Sequence, residues 1–196
     1  MNLNLSSTIH DLKNALARIA ECPDQPSAAQ VAAMRDIARN ACATLTNLLQ
    51  MQRLEDDALT LNKELLDVDG FMQEVWVDAK AFCKHRCELE GGAAGELFML
   101  DRVLITQVLV NAVQNADRYA ATRIVLHYCM DVQGRLVIEV RDDGPGFPEW
   151  VLQGGAGKAD GTGVGLALGK AIVARHEGAL SLGNDRGGVF RLELAP

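Results

Sequence analysis

The chain has 196 residues, of which 48% are hydrophobic and 23% are charged, and its formal net charge is −7. This length allows one large domain or two small ones, and the acidic charge excludes general nucleic-acid binding because it repels phosphodiester backbones. No apolar run approaches the roughly 18 to 20 residues of a membrane span, and the first residues lack the features of a secretory signal, so we expect a cytoplasmic protein. The five cysteines are scattered, with no CxxC pair, which favours core packing over a disulfide framework or a zinc site.

Residues 1–57 contain only two glycine or proline residues, Pro23 and Pro26, which predicts two helices joined by one turn. Ser27 and Gln30 form a capping box at the start of the second helix. Both helices carry apolar residues at alternating spacings of three and four, namely Leu5, Ile9, Leu12, Leu16 and Ile19 in the first and Val31, Met34, Ala38, Ala41, Leu45 and Leu48 in the second. One hairpin buries too little apolar surface to be stable alone, so we expect a homodimer whose two hairpins form a four-helix bundle.

From about residue 58 the pattern changes to short strands that alternate with helices. The sequence predicts strands at about 59–61, in CELE and ELFML, in TRIVLHYCM and RLVIEVRD, and in ALSLGN and GVFRLELA. Helices are predicted near 68–84, over 101–119 and near 163–175. This order predicts an α+β protein in which residues 58–196 form a sandwich, with helices on one face of a mixed sheet.

Two asparagines interrupt the apolar stripe of the 101–119 helix. Asn111 and Asn115 are four residues apart, so their side-chain amides share one helix face and can point at one bound group. Asn is a poor helix former, and this placement therefore favours ligand binding over simple solvation. Amide oxygens are hard ligands, and Mg²⁺ that is held by few protein ligands together with phosphate oxygens suits such a site.

Two glycine-rich motifs follow along the chain. Asp142 ends a strand, and Gly144 and Gly146 let the backbone turn sharply and approach a ligand. A carboxylate here can accept a hydrogen bond from the exocyclic amino group of adenine, whereas guanine presents a carbonyl oxygen. The second motif is a loop that enters a helix and contains Gly161, Gly163 and Gly165. The free N–H groups at such a helix start bind phosphate, although either motif alone is also typical of an ordinary turn.

In this order and on these elements, the three motifs resemble the N, G1 and G2 boxes of the GHKL family, the ATP-binding domain of histidine kinases, gyrase and MutL. The resemblance covers about residues 59–196 and implies that ATP and Mg²⁺ bind. It implies that Asn115 holds Mg²⁺, that Asn111 and Arg118 lie near the phosphates, and that Tyr119 lines the nucleotide while Asp142 binds adenine. The glycines that it implies at the nucleotide are Gly144, Gly146, Gly161, Gly163 and Gly165, of which Gly163 and Gly165 flex with the lid.

Members of this family that hydrolyse ATP carry a glutamate at the place of Asn111, where it activates water. This chain lacks that base, so another nucleophile is needed. His10 lies roughly 140° from the apolar stripe of the first helix and faces solvent, with Asp11 next to it and Asn14 four residues on. The Asp11 carboxylate can orient the imidazole and stabilise the positive charge that develops on phosphorylation. The other three histidines are expected to have no chemical role.

The residues HDLKN resemble the H box of the dimerisation and histidine-phosphotransfer domain of sensor kinases. This implies that residues 1–57 are that domain, that Asp11 is the base of the kinase reaction, and that Asn14 positions water for dephosphorylation of a receiver domain. We therefore expect a two-component histidine kinase that phosphorylates His10 from ATP and passes the phosphoryl group to an aspartate of a response regulator. The signal would come from a separate sensor protein or from a region missing from this chain.

Two alternatives remain open. The first is a phosphotransfer or adaptor protein whose ATP-like domain is not catalytic. The second is a GHKL serine kinase of the anti-sigma type, which shares the ATP-binding sandwich but needs no histidine hairpin.

Overall fold

The computed structural model describes residues 5–21, 23, 25–55, 59–81, 83–153 and 164–196. The chain divides into two compact units, Met1–Leu59 with Lys158–Leu168 and Thr60–Gly157 with Gly169–Pro196. Among the helices in these ranges, none has both the length and the apolar character that crossing a bilayer requires.

The N-terminal unit is a helical hairpin of α1 (Leu5–Ala20) and α2 (Ala28–Glu55), which pack against each other. The predicted capping box is confirmed. Ser27 N donates to Gln30 Oε1 at 2.8 Å, and Gln30 N donates to Ser27 Oγ at 3.3 Å. These two bonds satisfy backbone donors that the first turn of a helix leaves without a partner, which fixes where α2 begins.

The predicted apolar stripe of α1 is only partly correct. Leu12 is buried together with the polar Thr8 four residues before it, whereas Ile9 and Leu16 are 54% and 57% exposed. The 3,4 spacing identifies the large apolar residues of the helix, but it does not show which of them are buried.

The described residues of the C-terminal region form two sheets, three longer helices and one short helix, and the last helix begins within the N-terminal unit, which includes Lys158–Leu168. The elements in chain order are β1 (Glu64–Asp67), α3 (Val68–Lys80), β2 (Arg86–Gly92), β3 (Leu97–Leu100), α4 (Arg102–Tyr119), β4 (Arg123–Met130), β5 (Leu136–Asp142), α5 (Glu149–Leu152), α6 (Val164–Arg175), β6 (Ala179–Asn184) and β7 (Gly188–Leu194). The main sheet has the strand order β2-β4-β5-β7-β6; the β2–β4 pair is parallel and the other pairs are antiparallel. The predicted mixed sheet and the hairpin between β4 and β5 are therefore confirmed.

The N-terminal part of this region corrects two predictions. The strand expected at 59–61 is wrong, because β1 begins at Glu64, where it pairs with Leu100 at the end of β3. Alternation in LTL resembles a strand, but a strand forms only where a partner supplies its hydrogen bonds. The helix expected near 68–84 ends at Lys80, and its start is fixed by Asp67, whose carboxylate accepts a 2.7 Å hydrogen bond from Gly70 N.

The helices cover one side of the main sheet. α4 contacts α3, β4 and β5, and its residues Ile105, Leu109 and Val113 are fully buried. On the sheet side the same core holds Ile124, Leu126, Ile138 and Leu192. α6 approaches closely at Gly169, where an added Cβ would lie 3.3 Å from Leu180 and 3.5 Å from Val108. This core holds α4 rigidly, and α4 carries the two asparagines.

Candidate active site

The two asparagines lie on α4, whose apolar side is buried. Ala112 and Ala116 are buried, whereas Asn115 is exposed and Asn111 is half-buried. Residues four apart on a helix are neighbours, so the two amides share the side of α4 that the core leaves open. Arg118 and Tyr119 end the helix, and both side chains are exposed.

Asp142 stands at the end of β5 with one carboxylate oxygen engaged and the other open. Its Oδ1 accepts hydrogen bonds from Gly144 N at 2.9 Å and from Gly188 N at 3.2 Å. Among the described residues nothing donates to Oδ2. The two backbone bonds fix the rotamer of the side chain, so that Oδ2 is a pre-oriented acceptor for an N–H group of a ligand.

Gly144 brings the turn after β5 against the end of α4. A Cβ at this position would lie 2.2 Å from the carbonyl oxygen of Tyr119 and 2.9 Å from Asp142 Oδ1. No side chain fits at such distances, so glycine is required for the close approach of two backbones. The structure thus brings the predicted N and G1 boxes together.

Gly146 needs glycine for a second reason, because its φ of +78° lies in the left-handed region. A Cβ there would also lie 2.7 Å from Oδ1 of Asn184, at the end of β6. The Asn184 amide makes two hydrogen bonds with the backbone of Phe147, the residue after Gly146. Phe147 N donates to Asn184 Oδ1 at 2.7 Å, and Asn184 Nδ2 donates to Phe147 O at 2.9 Å. Asn184 therefore holds the turn in place, and it is not among the residues predicted from the sequence.

A second glycine pair, also missed from the sequence, keeps space open around Asp142. A Cβ at Gly187 would lie 1.8 Å from Asp142 O, and a Cβ at Gly188 would lie 2.6 Å from Asp142 Oδ2. A side chain at Gly188 would therefore fill the space in front of the open carboxylate oxygen. The sequence offered one signal, since glycine at a strand often marks a close approach of another backbone or a ligand.

Asp143 has a structural role that the sequence analysis did not assign. Its Oδ1 accepts hydrogen bonds from the backbone N–H groups of Ala121, Thr122 and Arg123 at 2.9, 2.9 and 3.1 Å, and its Oδ2 accepts one from the Thr122 hydroxyl. The Thr122 side chain, followed by these backbone donors, holds the pKa of the Asp143 carboxyl well below its usual range. This carboxylate ties the connection between α4 and β4 to the end of β5.

Two buried acids fix the ends of α4. Asp101 caps the start: its Oδ1 accepts from Leu104 N at 3.0 Å, and its own N–H donates to Nε2 of His176 at 3.1 Å. Because Nε2 is an acceptor, His176 is neutral and donates from Nδ1 to Ile172 O, in keeping with its pKa, which burial lowers. His176 was expected to be without a chemical role, and its role in the structure is to connect α6 to α4.

At the other end of the helix, Asp117 accepts hydrogen bonds at Oδ1 from the backbone N–H groups of Lys84 and His85 at 2.9 and 3.0 Å. The His85 ring adds a third contact at 3.1 Å through Nδ1. Asp117 is the only acidic residue in α4, and all three contacts join it to the segment between α3 and β2.

The third glycine motif falls largely outside the described residues. Gly161 and Gly163 lie there, and Gly165 is the second residue of α6. The helix predicted near 163–175 is confirmed as Val164–Arg175.

His10 lies on α1 with its side chain 70% exposed, as the helical spacing predicted. Its Nδ1 lies 3.2 Å from Asn14 Nδ2 and 3.7 Å from Oδ1 of Asp11, which is 57% exposed. Both predicted neighbours therefore contact the same ring nitrogen. The opposite nitrogen, Nε2, has no partner among the described residues.

Comparison with known proteins adds independent evidence. Residues 100–196 match the model of the family described as histidine kinase-, DNA gyrase B- and HSP90-like ATPases. The sensor protein KdpD of Escherichia coli strain K12 is 27% identical to this chain. The alignment covers 98% of this chain and 24% of that protein. The chain thus spans about a quarter of the length of this relative.

Two solved structures share the fold. The histidine kinase AdeS of Acinetobacter baumannii has a TM-score of 0.73 at 20% identity, covering 100% of this chain and 98% of that one. The histidine kinase ThkA, solved in complex with the response regulator protein TrrA, has a TM-score of 0.68 at 19% identity, covering 97% of this chain and 58% of that one. Residues 100–196 therefore match the histidine kinase-, DNA gyrase B- and HSP90-like ATPase family, and the chain as a whole is similar to sensor histidine kinases.

Proposed function

We propose that this chain is the kinase core of a two-component sensor kinase. It binds ATP, transfers the γ-phosphoryl group to His10, and passes that group to an aspartate of a response regulator. The observation that carries the proposal is the exposed His10 ring, whose Nδ1 is contacted by Asn14 and Asp11 while Nε2 remains open. The family match of residues 100–196 supports the ATP-binding half of the proposal.

The Asp142 region fits the adenine ring. Oδ2 of Asp142 is an unused acceptor, and the absence of a side chain at Gly188 keeps the space in front of it open. The exocyclic amino group of adenine is a donor, whereas guanine would place a carbonyl oxygen against the carboxylate. We assign adenine recognition to Asp142, with Gly144 and Gly146 shaping the turn and Tyr119 lining the ring.

The open side of α4 suits the phosphate groups. Asn115 would hold Mg²⁺ through its amide oxygen, and the metal would neutralise charge on the phosphates when bound. Asn111 and the Arg118 guanidinium lie on the same half of the helix and would contact the phosphate oxygens. We also assign Gly161, Gly163 and Gly165 to the loop that covers the phosphates.

The residues of α4 argue against water as the acceptor of the phosphoryl group. Hydrolysis needs a base that removes a proton from water, and the only acid on this helix is Asp117. Asp117 is buried, and its Oδ1 is occupied by two backbone N–H groups and the His85 ring. A protein nucleophile is the better acceptor.

The surroundings of His10 suit this role. As placed, Asn14 Nδ2 donates to Nδ1, which puts the ring proton on Nε2. For the reaction the Asn14 amide turns so that its oxygen accepts from the ring and the proton lies on Nδ1. The lone pair on Nε2 then attacks the γ-phosphorus, the bond to the bridging oxygen breaks, and ADP leaves. The ring would become cationic, and the Asp11 carboxylate accepts the Nδ1 proton as the reaction proceeds. The Asn14 amide orients the ring, and in a separate reaction it would position the water that attacks the phosphorylated aspartate of the receiver and releases phosphate.

A second copy of this chain is the proposed partner of the hairpin. Four apolar side chains on the two helices are 47% to 61% exposed, namely Ile9, Leu16, Leu45 and Leu49. A four-helix bundle would bury them, which supports a homodimer. The complex of the related ThkA with a response regulator supports a receiver domain as a further partner. We place the protein in the cytoplasm, where it would receive its signal from a separate sensor or a further region.

The deciding experiment is labelling with γ-labelled ATP and Mg²⁺. We expect label that is lost in acid and kept in base, as for phosphohistidine, and His10→Gln abolishes it. His127→Gln is the matched control, because His127 is half-buried on β4 and takes no part in the proposal. Label that is lost in base or persists in His10→Gln would favour the serine kinase. Binding of ATP without any label would favour the adaptor protein.

The nucleotide half of the proposal has its own control. Asp142→Asn keeps an acceptor oxygen for the backbone N–H groups but turns an N–H₂ group towards the amino group of adenine. We expect ATP affinity to fall by about 30-fold, equivalent to ~2 kcal/mol, with the fold intact. Isothermal titration calorimetry measures the affinity, and unchanged binding would remove Asp142 from the site.

A further inference from the structure

The turn that follows β5 is held at both of its ends by the connection between β6 and β7. At the start of the turn, Gly188 N donates to Asp142 Oδ1 at 3.2 Å, and a Cβ at Gly187 would lie 1.8 Å from Asp142 O. At the end of the turn, the Asn184 side chain makes hydrogen bonds with both the N–H and the C=O of Phe147. One connection therefore fixes where the turn begins and where it ends.

The Asn184 amide supports the turn as a neighbouring strand would. It accepts from Phe147 N at 2.7 Å and donates to Phe147 O at 2.9 Å, so that one planar group satisfies the donor and the acceptor of one residue. In an antiparallel sheet, such a pair of bonds comes from the backbone of the partner strand. An aspartate side chain could supply only the acceptor, and alanine neither group. The residue type is therefore part of the support.

The same amide restricts the residue before Phe147. Gly146 has a φ of +78°, and a Cβ on it would lie 2.7 Å from Asn184 Oδ1. No side chain fits between the Gly146 backbone and the amide, so the backbone passes directly against the Asn184 side chain. The position of Asn184 thus sets the path of the turn over its last two residues.

The Phe147 end of the turn lies close to the carboxylate that we assign to adenine. A Cβ on Gly188 would lie 2.6 Å from Asp142 Oδ2 and 3.2 Å from Cε2 of the Phe147 ring, so both groups border one point. A movement of Phe147 therefore changes the space at the open carboxylate oxygen. Asp142 Oδ1 also accepts from Gly144 N, within the turn, so a shift of the turn is passed on to the carboxylate itself.

We propose that Asn184 is a positioning residue that determines the base selectivity of the nucleotide site. By holding Phe147, it keeps the turn in the arrangement in which Asp142 Oδ2 is aligned with the exocyclic amino group of adenine. This inference rests on the proposed function, and Asn184 acts through Phe147 and Asp142 rather than on the base. Because a hydrogen bond weakens steeply with misalignment, release of the turn weakens the bond to the amino group more than the contacts with the rest of the nucleotide.

Amide hydrogen exchange of the full chain without nucleotide, followed by NMR, tests the support itself. In the wild type the Phe147 N–H is protected by Asn184 Oδ1, and we expect Asn184→Ala to raise its exchange rate by about tenfold or more. Asn184→Asp keeps an acceptor at this place, so its Phe147 N–H should stay protected while the bond to Phe147 O is lost. Equal exchange in the wild type and Asn184→Ala would overturn the proposal.

Base selectivity is measured as the ratio of two dissociation constants, that of purine riboside triphosphate, which lacks the amino group, to that of ATP. We expect a ratio of about 30 in the wild type and below about 5 in Asn184→Ala. A purely structural role would weaken the binding of both nucleotides alike, and such an unchanged ratio would overturn the proposal. Asp185→Ala is the matched control and should keep the wild-type ratio, because Asp185 is the next residue, is exposed and has no assigned role.

If Asn184→Ala does not fold, Asn184→Asp takes its place, because it loses only the bond to Phe147 O. Its ratio should then fall to about 10, and a wild-type ratio would overturn the proposal. A wild-type protein that binds both nucleotides equally would contradict adenine recognition by Asp142 and, with it, the selectivity that we assign to Asn184. Wild-type protein that binds neither nucleotide would contradict the proposed function, and the exchange of the Phe147 N–H would still decide whether Asn184 holds the turn.

Discussion

The turn after β5 and the surroundings of His10 are built in opposite ways. Around Asp142, contacts come from distant parts of the chain: Gly144 touches the end of α4, Gly188 begins β7, and Asn184 ends β6. Around His10, both contacts come from the same helix, one and four residues away, and the ring is 70% exposed. The contacts of Asp142 depend on the tertiary structure, whereas the contacts of the His10 ring depend only on residue spacing within one helix.

This difference teaches how each region should respond to substitution. A change that breaks the backbone contacts of the turn alters folding and binding together, because the same contacts serve both. A change beside His10 alters chemistry alone, because exposed helix residues contribute little to stability.

Asp11→Asn should give the largest effect, and it should fall on chemistry only. The amide cannot accept the Nδ1 proton, so we expect the rate of His10 phosphorylation to fall by about 100-fold or more. ATP affinity and the melting temperature should be unchanged, because Asp11 is exposed. Single-turnover labelling measures the rate, with Asp11→Glu as a variant that restores a carboxylate. Full activity in Asp11→Asn would assign the proton to another group.

Gly144→Ala should cause the reverse, a loss of folding and of binding together. The added Cβ would lie 2.2 Å from the carbonyl oxygen of Tyr119, and backbone cannot yield as a side chain does. We expect the free energy of unfolding to fall by about 3 kcal/mol. Gly183→Ala is the matched control, since nothing lies within 4 Å of its Cβ position. Urea unfolding measures the stability of both variants. Equal stabilities of Gly144→Ala and Gly183→Ala would show that the close approach is not maintained in solution.

Asp143→Asn should give the smallest effect, a change in melting temperature that depends on pH. The pKa of Asp143 is lowered in the folded protein, so the carboxylate stabilises the fold fully above the unfolded pKa of about 4, and this contribution is lost as pH falls through the folded value. The difference in melting temperature between wild type and Asp143→Asn should therefore be constant near neutral pH and shrink below about pH 4. A difference that grows on acidification would contradict the hydrogen-bond pattern.

The same contrast explains what the sequence could predict. The exposure of His10 and the Ser27–Gln30 capping box follow from spacing within one helix, and the structure agrees with both. Asp142 could be placed at a strand end with glycines after it, but its partner Gly188 lies 46 residues further on. Sequence spacing carries no information about such a contact, which depends on how β5 pairs with β7.

Errors in the prediction have the same origin. The LTL segment has the alternation of a strand but lacks a pairing partner, so β1 starts only at Glu64. Ile9 and Leu16 fit the apolar spacing of α1 but are 54% and 57% exposed. Periodicity shows which residues avoid water and does not show which surface covers them.

Asp142 and Asp143 are chemically identical neighbours with divided tasks. The Asp143 carboxylate is hydrogen-bonded to the connection between α4 and β4, whereas the Asp142 carboxylate keeps one oxygen available for a ligand. Each role belongs to a position at the end of β5, so a one-residue deletion in the strand would put Asp143 in the place of Asp142 and Gly144 in the place of Asp143. This shift would remove the contact with the α4–β4 connection, although every amino acid of the motif would still be present.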